Sequence, residues 1–87
     1  MPAVVIPATF RDRSAAMAEL PALVSQVSAM AGFVAGYWVA FSGDKGTAII
    51  RFESEEAAQA LADFAKRAPA ESVVSGNIEV GEVMAHA

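Results

Sequence analysis

The sequence predicts an α+β fold in which strands and helices follow one another in the order βαββαβ. Three observations predict it. An apolar, β-branched run comes first, residues 32 to 65 follow as strand, tight turn, strand and capped helix, and a second β-rich run comes last. The 87 residues are enough for one domain, which we expect to span residues 1–87.

Four strands are expected in one antiparallel sheet. They are Ala3–Phe10, Phe33–Phe41, Thr47–Phe52 and Val73 to about Ala85. Residues 42–46 (SGDKG) form the hairpin loop between the two middle strands, because glycine and aspartate accept tight turns. Pro7 lacks a backbone N–H and predicts a bulge or a local gap in pairing, and Gly76 and Gly81 predict bulges in the last strand.

The first helix is predicted to end at about Ala31, with Asp12 or Ser14 as its N-cap. Its apolar residues step by three and four along the chain. They are Met17, Leu20, Val24, Val27 and Ala31, with Leu23 and Met30 widening the stripe. Pro21 lies within this pattern and predicts a kink or a break, and Gly32 suits the left-handed turn that ends a helix.

The second helix is predicted to begin after the cap residue Ser54 and to end before Pro69. Its first turn is acidic and its last turn is basic, which complements the helix dipole. The predicted buried stripe is Ala57, Ala60 or Leu61, Phe64 and Ala65. Because small residues dominate that stripe, the helix should lie close to the sheet.

The strand pattern gives the sheet no polar face. The two alternating sets in the second strand are Phe33, Ala35, Tyr37, Val39, Phe41 and Val34, Gly36, Trp38, Ala40. A sheet with helices on one face normally presents a polar second face to water. Hydrophobic residues also make up 55% of the chain, more than so short a chain buries alone. We therefore expect a homodimer through the second sheet faces.

The charges argue against nucleic acid and anionic membranes as partners. The net charge is −4, and the six lysines and arginines are scattered along the chain. The uncharged stretch Leu20–Gly43 is interrupted by Pro21 and Gly32 and changes from helical to strand periodicity, so we expect no membrane span. A chain without cysteine and with one histidine offers no disulfide and no metal site, and we expect a cytoplasmic protein.

The βαββαβ order, the segment Gly32–Trp38 (GFVAGYW) and the helix opening Ser54–Leu61 (SEEAAQAL) resemble the antibiotic-biosynthesis-monooxygenase-like proteins. These belong to the dimeric α+β barrel superfamily. The resemblance covers nearly the whole chain and rests on residue types rather than a strict signature. It implies a ferredoxin-like subunit with a four-stranded antiparallel sheet, paired through its sheet into a dimeric α+β barrel, with a substrate pocket between sheet and helices.

The same resemblance bears on cofactors. Cofactor-free members of that family oxidise quinols or polyketides, and another branch degrades haem with a histidine ligand on a helix. The only histidine here is His86, one residue from the C-terminal end of the sequence. We therefore expect no haem and no other cofactor.

RNA-recognition-motif domains share the βαββαβ order. Residues 45–52 (KGTAIIRF) are similar to their third-strand motif at Lys45, Gly46, Ala48 and Phe52. The positions that present aromatic rings for base stacking hold Thr47 and Ile49 instead. We therefore expect no RNA binding.

Five residues are candidates for a functional site: Tyr37, Trp38, Arg51, Asn77 and His86. Tyr37 and Trp38 either line a substrate pocket by stacking on a flat aromatic ligand, or divide between core and interface. Arg51 either polarises a carbonyl group or forms an interfacial ion pair. Asn77 is an amide donor or a bulge residue, and His86 is a general base or a terminal contact residue.

Two functions are therefore open. The first, implied by the resemblance, is a cofactor-independent monooxygenase acting on an aromatic or polyketide-like substrate. The second is a non-catalytic dimer that binds a small hydrophobic ligand or serves as an interaction module. The lack of a recognisable acid–base pair favours the second, and no residue is assigned a catalytic role.

Overall fold

Two helices cover one face of an antiparallel sheet in the computed structural model, which describes residues 1–67, 73–85 and 87. The elements are β1 (Pro2–Phe10), α1 (Arg13–Ser28), β2 (Phe33–Ala40), β3 (Lys45–Phe52), α2 (Glu55–Arg67), β4 (Val73–Ser75) and β5 (Glu79–Glu82). The strand order is β2-β3-β1-β4, and β5 also pairs with β1. The predicted ferredoxin-like α+β arrangement is confirmed.

The predicted fourth strand is divided into β4 and β5, with a gap opposite Pro7. β4 ends at Ser75, opposite Ala8, and β5 begins at Glu79, opposite Val5. The carbonyl of Pro7 accepts a hydrogen bond from the Gly76 N–H at 2.6 Å. In an antiparallel strand the N–H and C=O of one residue point to the same neighbouring strand. The backbone N–H that Pro7 lacks would therefore have pointed to the segment between β4 and β5, and its absence leaves that segment unpaired. The predicted gap in pairing is confirmed.

The helix α1 is shorter and less one-sided than predicted. Asp12 is its N-cap and accepts a hydrogen bond from the Ala15 N–H at 3.1 Å. The helix ends at Ser28, and it continues through Pro21 without the predicted break. Three stripe residues are exposed, Met17 at 53%, Leu23 at 39% and Ala31, while Ala16 is buried. The helix carries apolar side chains around most of its circumference, so the spacing of its apolar residues alone did not identify the buried face.

The helix α2 agrees with its predicted cap, but of its predicted stripe Leu61 alone is buried, and Ala57 and Ala65 are half-buried. The Ser54 hydroxyl accepts a hydrogen bond from the Ala57 N–H at 3.2 Å. The buried residues are Ala58, Leu61 and Ala62. Phe64, predicted to be buried, is 37% exposed. The predicted stop at Pro69 lies outside the described residues.

The core lies between the helices and one face of the sheet. It consists of Val4, Val27, Ala48, Ile50, Phe52, Ala58, Leu61 and Ala62. The β1–β3 register places Val4 opposite Ile50, so both point to the helices. Phe33 meets Phe52 edge to face, with ring centroids 6.2 Å apart. This arrangement leaves the alternate residues of the sheet on the other side.

Replacing Gly32 should destabilise the fold more than replacing Gly43, a second glycine with a positive φ. Gly32 has φ +82°, and an added Cβ would lie 2.8 Å from the Ala57 Cβ. Gly43 has φ +85° but open space around it. We expect Gly32→Ala to cost roughly 2–4 kcal/mol and Gly43→Ala about 1–2 kcal/mol in urea unfolding at one protein concentration.

The control for this comparison is Gly81→Ala. Gly81 has no positive φ, and an added Cβ would meet no atom within 4 Å. Its free energy of unfolding should change by less than about 0.5 kcal/mol. Equal losses at Gly32 and Gly43 would contradict the contact between the α1–β2 turn and α2.

Candidate functional site

The sheet face turned away from the helices, the open face, is apolar at its centre. Its exposed apolar residues are Val5, Tyr37, Val39, Ile49 and Val74, which keep between 37% and 60% of their surface accessible. Tyr37 and Val5 both lie opposite Ile49 in the ladder, one on each side of β3. Side chains opposite each other share a face, so these residues form one continuous surface. The predicted apolar second face is therefore present in the subunit.

Tyr37 and Trp38 lie on opposite faces of the sheet. The Trp38 ring packs against the core and lies over Gly36, where an added Cβ would come within 2.8 Å of it. Tyr37 is 60% exposed on the open face. The two rings therefore do not line one pocket within the subunit.

Arg51 lies on the open face near one end of β3. It is opposite Ala35 on β2 and Ala3 on β1. Its Nη2 donates to the Met1 sulfur at 3.0 Å, and its buried Nε has no hydrogen-bond partner among the described residues. Arg51 and Tyr37 are diagonal neighbours on adjacent strands, so the fold brings these two candidates to one surface.

The two remaining candidates are Asn77 and His86. Asn77 lies in the gap between β4 and β5, and its amide nitrogen donates to the Glu79 Oε1 at 2.9 Å. This contact orders the gap and leaves no more than part of the amide for a ligand. His86 lies outside the described residues, and its predicted role stays a prediction.

A groove at the hairpin end of the open face was not predicted from the sequence. We call it the Lys45 groove; its lining includes Pro7, Thr9, Phe41, Lys45, Thr47 and Val74. Its volume is about 530 Å³, and it is open to solvent. The lining is largely apolar, with one ammonium group and a few hydroxyls. This composition is typical of a site for a small apolar ligand with one polar group.

Lys45 is held across the groove by a hydrogen bond. Its Nζ donates to the Thr9 Oγ1 at 3.0 Å, and the two residues face each other in the β1–β3 ladder. Within residues 1–67, 73–85 and 87, the one ion pair joins the Met1 amino group to Glu82, so no carboxylate there lies within ion-pair distance of the Lys45 ammonium group. The groove therefore carries one positive charge, on Lys45.

Arg13 fixes the hairpin that supplies Phe41 and Lys45. Its Nη1 donates to the carbonyls of Phe41 at 2.8 Å and Gly43 at 2.7 Å. The guanidinium also lies 5.6 Å from the centroid of the Phe10 ring, and the Phe10 N–H donates to the Asp44 carbonyl at 2.6 Å. These contacts tie the groove wall to the start of α1.

Two further features are absent from the described part of the chain. It holds no cluster of three or more histidine, cysteine, aspartate or glutamate residues that could bind a metal ion. None of its helices combines the length and hydrophobicity needed to cross a membrane.

Similar solved structures share the fold along the whole chain. No protein-family model matches the sequence, and no curated protein sequence matches it significantly. The NE2512 protein of unknown function from Nitrosomonas europaea is 19% identical, with a TM-score of 0.70 over 99% of this chain and 91% of that one. Rv0793 from Mycobacterium tuberculosis is 18% identical, with a TM-score of 0.60 over 100% and 99%.

A third similar structure has a stated activity. It is the heme-degrader MhuD from Mycobacterium tuberculosis with two hemes bound in its active site, 22% identical, with a TM-score of 0.56 over 97% of this chain and 98% of that one. At these identities the likeness is one of fold. It agrees with the ferredoxin-like architecture that the sequence resemblance implied.

Removing the two hydrogen bonds from Arg13 to the hairpin carbonyls, which we call the Arg13 clamp, should loosen the hairpin. We expect Arg13→Gln to lower the free energy of unfolding by about 1 kcal/mol, since two charge-assisted hydrogen bonds are lost at an exposed site. Hydrogen exchange at the Phe41 amide, which donates to the Lys45 carbonyl at 2.9 Å, should be about fivefold faster. Arg11→Gln, which removes an exposed arginine two residues earlier, is the control, and equal effects of the two variants would contradict the clamp.

Proposed function

We propose that this protein is a homodimer in which two open faces pack together as a dimeric α+β barrel, and that the dimer binds a small aromatic or polyketide-like molecule. The apolar open face carries the proposal. Val5, Tyr37 and Ile49 form a row across three strands with 37–60% of each side chain accessible. Contiguous exposed apolar surface of this kind marks an interaction site.

The surface area of the subunit supports a partner on that face. Its accessible surface is 5514 Å². A compact monomer of 9.0 kDa exposes roughly 4,900 Å². The excess of roughly 600 Å² is about three quarters of the ~800 Å² that one partner contributes to a standard interface. A second copy is the simplest partner, since a two-fold axis places each apolar face on an identical one.

The position of the Lys45 groove supports a ligand in the dimer. The groove lies at one end of the face that the partner subunit would cover, so the partner would shield part of the groove from solvent. Small-molecule sites commonly lie at such interfaces, with an apolar lining and a few polar groups. Phe41 and Val74, which remain 50% and 43% exposed, would gain burial from an apolar ligand.

A cofactor-independent oxygenase of the antibiotic-biosynthesis-monooxygenase-like type is the second candidate. It is favoured by the full-length fold similarity to a haem-degrading protein. In such a reaction the substrate supplies the electrons, so that a quinol and O₂ give a hydroxyquinone and water. Tyr37 and Arg51, which share the open face, are the described groups available to hold an oxyanion at the interface.

The two helices that cover the sheet offer haem no axial ligand. A haem iron needs an axial donor such as histidine, cysteine or tyrosine. Neither α1 nor α2 contains any of these three residue types, and the sheet face beneath them holds core side chains such as Phe52. We therefore derive no step through haem.

The dimer is tested by placing a charge on the open face. Ile49→Lys should change the mass in light scattering from twice 9.0 kDa to 9.0 kDa, because two lysines near the axis would be buried against each other. Leu23→Lys is the matched control, since Leu23 on α1 is 39% exposed and Ile49 is 38% exposed. A wild-type monomer, or dissociation of both variants, would contradict dimerisation through the open face.

Oxygen uptake with quinols and hydroxynaphthoquinones tests the second candidate. An oxygenase should accelerate uptake above the rate of substrate autoxidation, and Arg51→Gln should reduce kcat by about tenfold or more if the guanidinium stabilises an oxyanion. Arg67→Gln removes the same charge at the end of α2 and should leave the rate unchanged. Uptake at the autoxidation rate with every substrate, alongside saturable ligand binding, would establish a binding protein instead.

A further inference from the structure

We propose that the Lys45 groove binds a small aromatic carboxylate, with the ring on the apolar wall and the carboxylate at the Lys45 ammonium group. The inference deepens the proposed function by giving the ligand a charge and an orientation. It rests on the proposed dimer only for the surface that would cover the groove, since every group named here belongs to one subunit.

The size and lining of the groove fit a one- or two-ring molecule. The volume of about 530 Å³ lies within the range of roughly 300–1,000 Å³ that is usual for small-ligand sites. Pro7, Phe41 and Val74 supply apolar surface along the groove. Phe41 offers a ring on which a second ring can stack or pack edge to face.

The charge of the groove selects an anion. Lys45 is the one charged residue in the lining, and its described polar contact is the Thr9 hydroxyl. An ammonium group has three N–H donors, so donors remain for a ligand. A carboxylate beside it would form a charge-assisted hydrogen bond, roughly twice as strong as a neutral one. With one cation present, a monoanion matches the groove better than a dianionic phosphate.

The cation is already held in place before a ligand binds. Thr9 accepts from the Lys45 Nζ at 3.0 Å, which leaves the hydroxyl hydrogen of Thr9 available to the same carboxylate. Arg13 holds the hairpin that carries Lys45 through the carbonyls of Phe41 and Gly43. An ordered lysine loses less side-chain entropy on binding than a mobile one, so this arrangement favours affinity.

Calorimetric titration of the protein with 2-naphthoate and 2-naphthamide tests the charge selection. The two ligands have nearly the same shape and differ in charge. We expect the carboxylate to bind about tenfold more tightly than the amide. Lys45→Gln should remove that preference and leave amide binding unchanged, while Lys45→Arg should keep it.

Two controls separate the groove from general effects. Arg67→Gln removes one positive charge on α2, away from the groove, and should leave both affinities unchanged. Amide chemical shifts in NMR should change with 2-naphthoate at Thr9, Lys45 and Thr47, which locates the ligand. Equal affinity for the two ligands, an unaffected Lys45→Gln variant, or no saturable shift up to millimolar 2-naphthoate would each overturn the inference.

The mass measured by light scattering distinguishes this inference from the proposed dimer. A dimer without affinity for 2-naphthoate would contradict ligand binding in the Lys45 groove and support the proposed dimer. A monomer that binds 2-naphthoate through Lys45 would contradict the dimer and support the ligand site. A monomer without affinity for 2-naphthoate would contradict both proposals.

Discussion

The register between β1 and β3 decides what each face of this molecule does. It places Val4 opposite Ile50 beneath the helices, and Val5 opposite Ile49 on the open face. Since strand side chains alternate, a slip of one residue would exchange the two sets. The polar members of the open set, Thr47 and Arg51, could not be buried under α2 without partners, whereas the helix-facing set offers small residues such as Ala48. Polarity therefore fixes which apolar set becomes core.

The sequence predicted the parts of the fold whose signals are local. Ser54 and the charges of α2 identify that helix by capping and dipole effects, and the alternation along β3 identifies its two faces. The buried side of α1 depends on tertiary packing, because Met17 and Leu23 are as apolar as the residues that do face the sheet. The division of the last strand required knowing to which neighbour Pro7 would have donated, which only the sheet order reveals.

The candidate site was less accessible to sequence reasoning for the same reason. Lys45 and Thr9 are 36 residues apart and meet only through the β1–β3 register. Their spacing resembles no motif, and each alone is an ordinary surface residue. Aromatic neighbours such as Tyr37 and Trp38 attract attention in a sequence, yet strand alternation separates them by the thickness of the sheet. The available signal was the alternation along β3, which places Lys45, Thr47 and Arg51 on one face once the partner strand is known.

The proposed dimer and the proposed ligand are linked by the charge of Lys45. A partner over the open face would exclude water from the groove and reduce the hydration of the ammonium group, which costs free energy unless an anion replaces that water. A bound carboxylate would supply the anion, and its attraction to Lys45 strengthens as the surroundings become less polar. Binding free energies are reciprocal, so whatever factor the ligand adds to dimer affinity, the dimer adds to ligand affinity. A groove at the end of an apolar interface is therefore suited to couple assembly to occupancy, with Lys45 as the group through which each event affects the other.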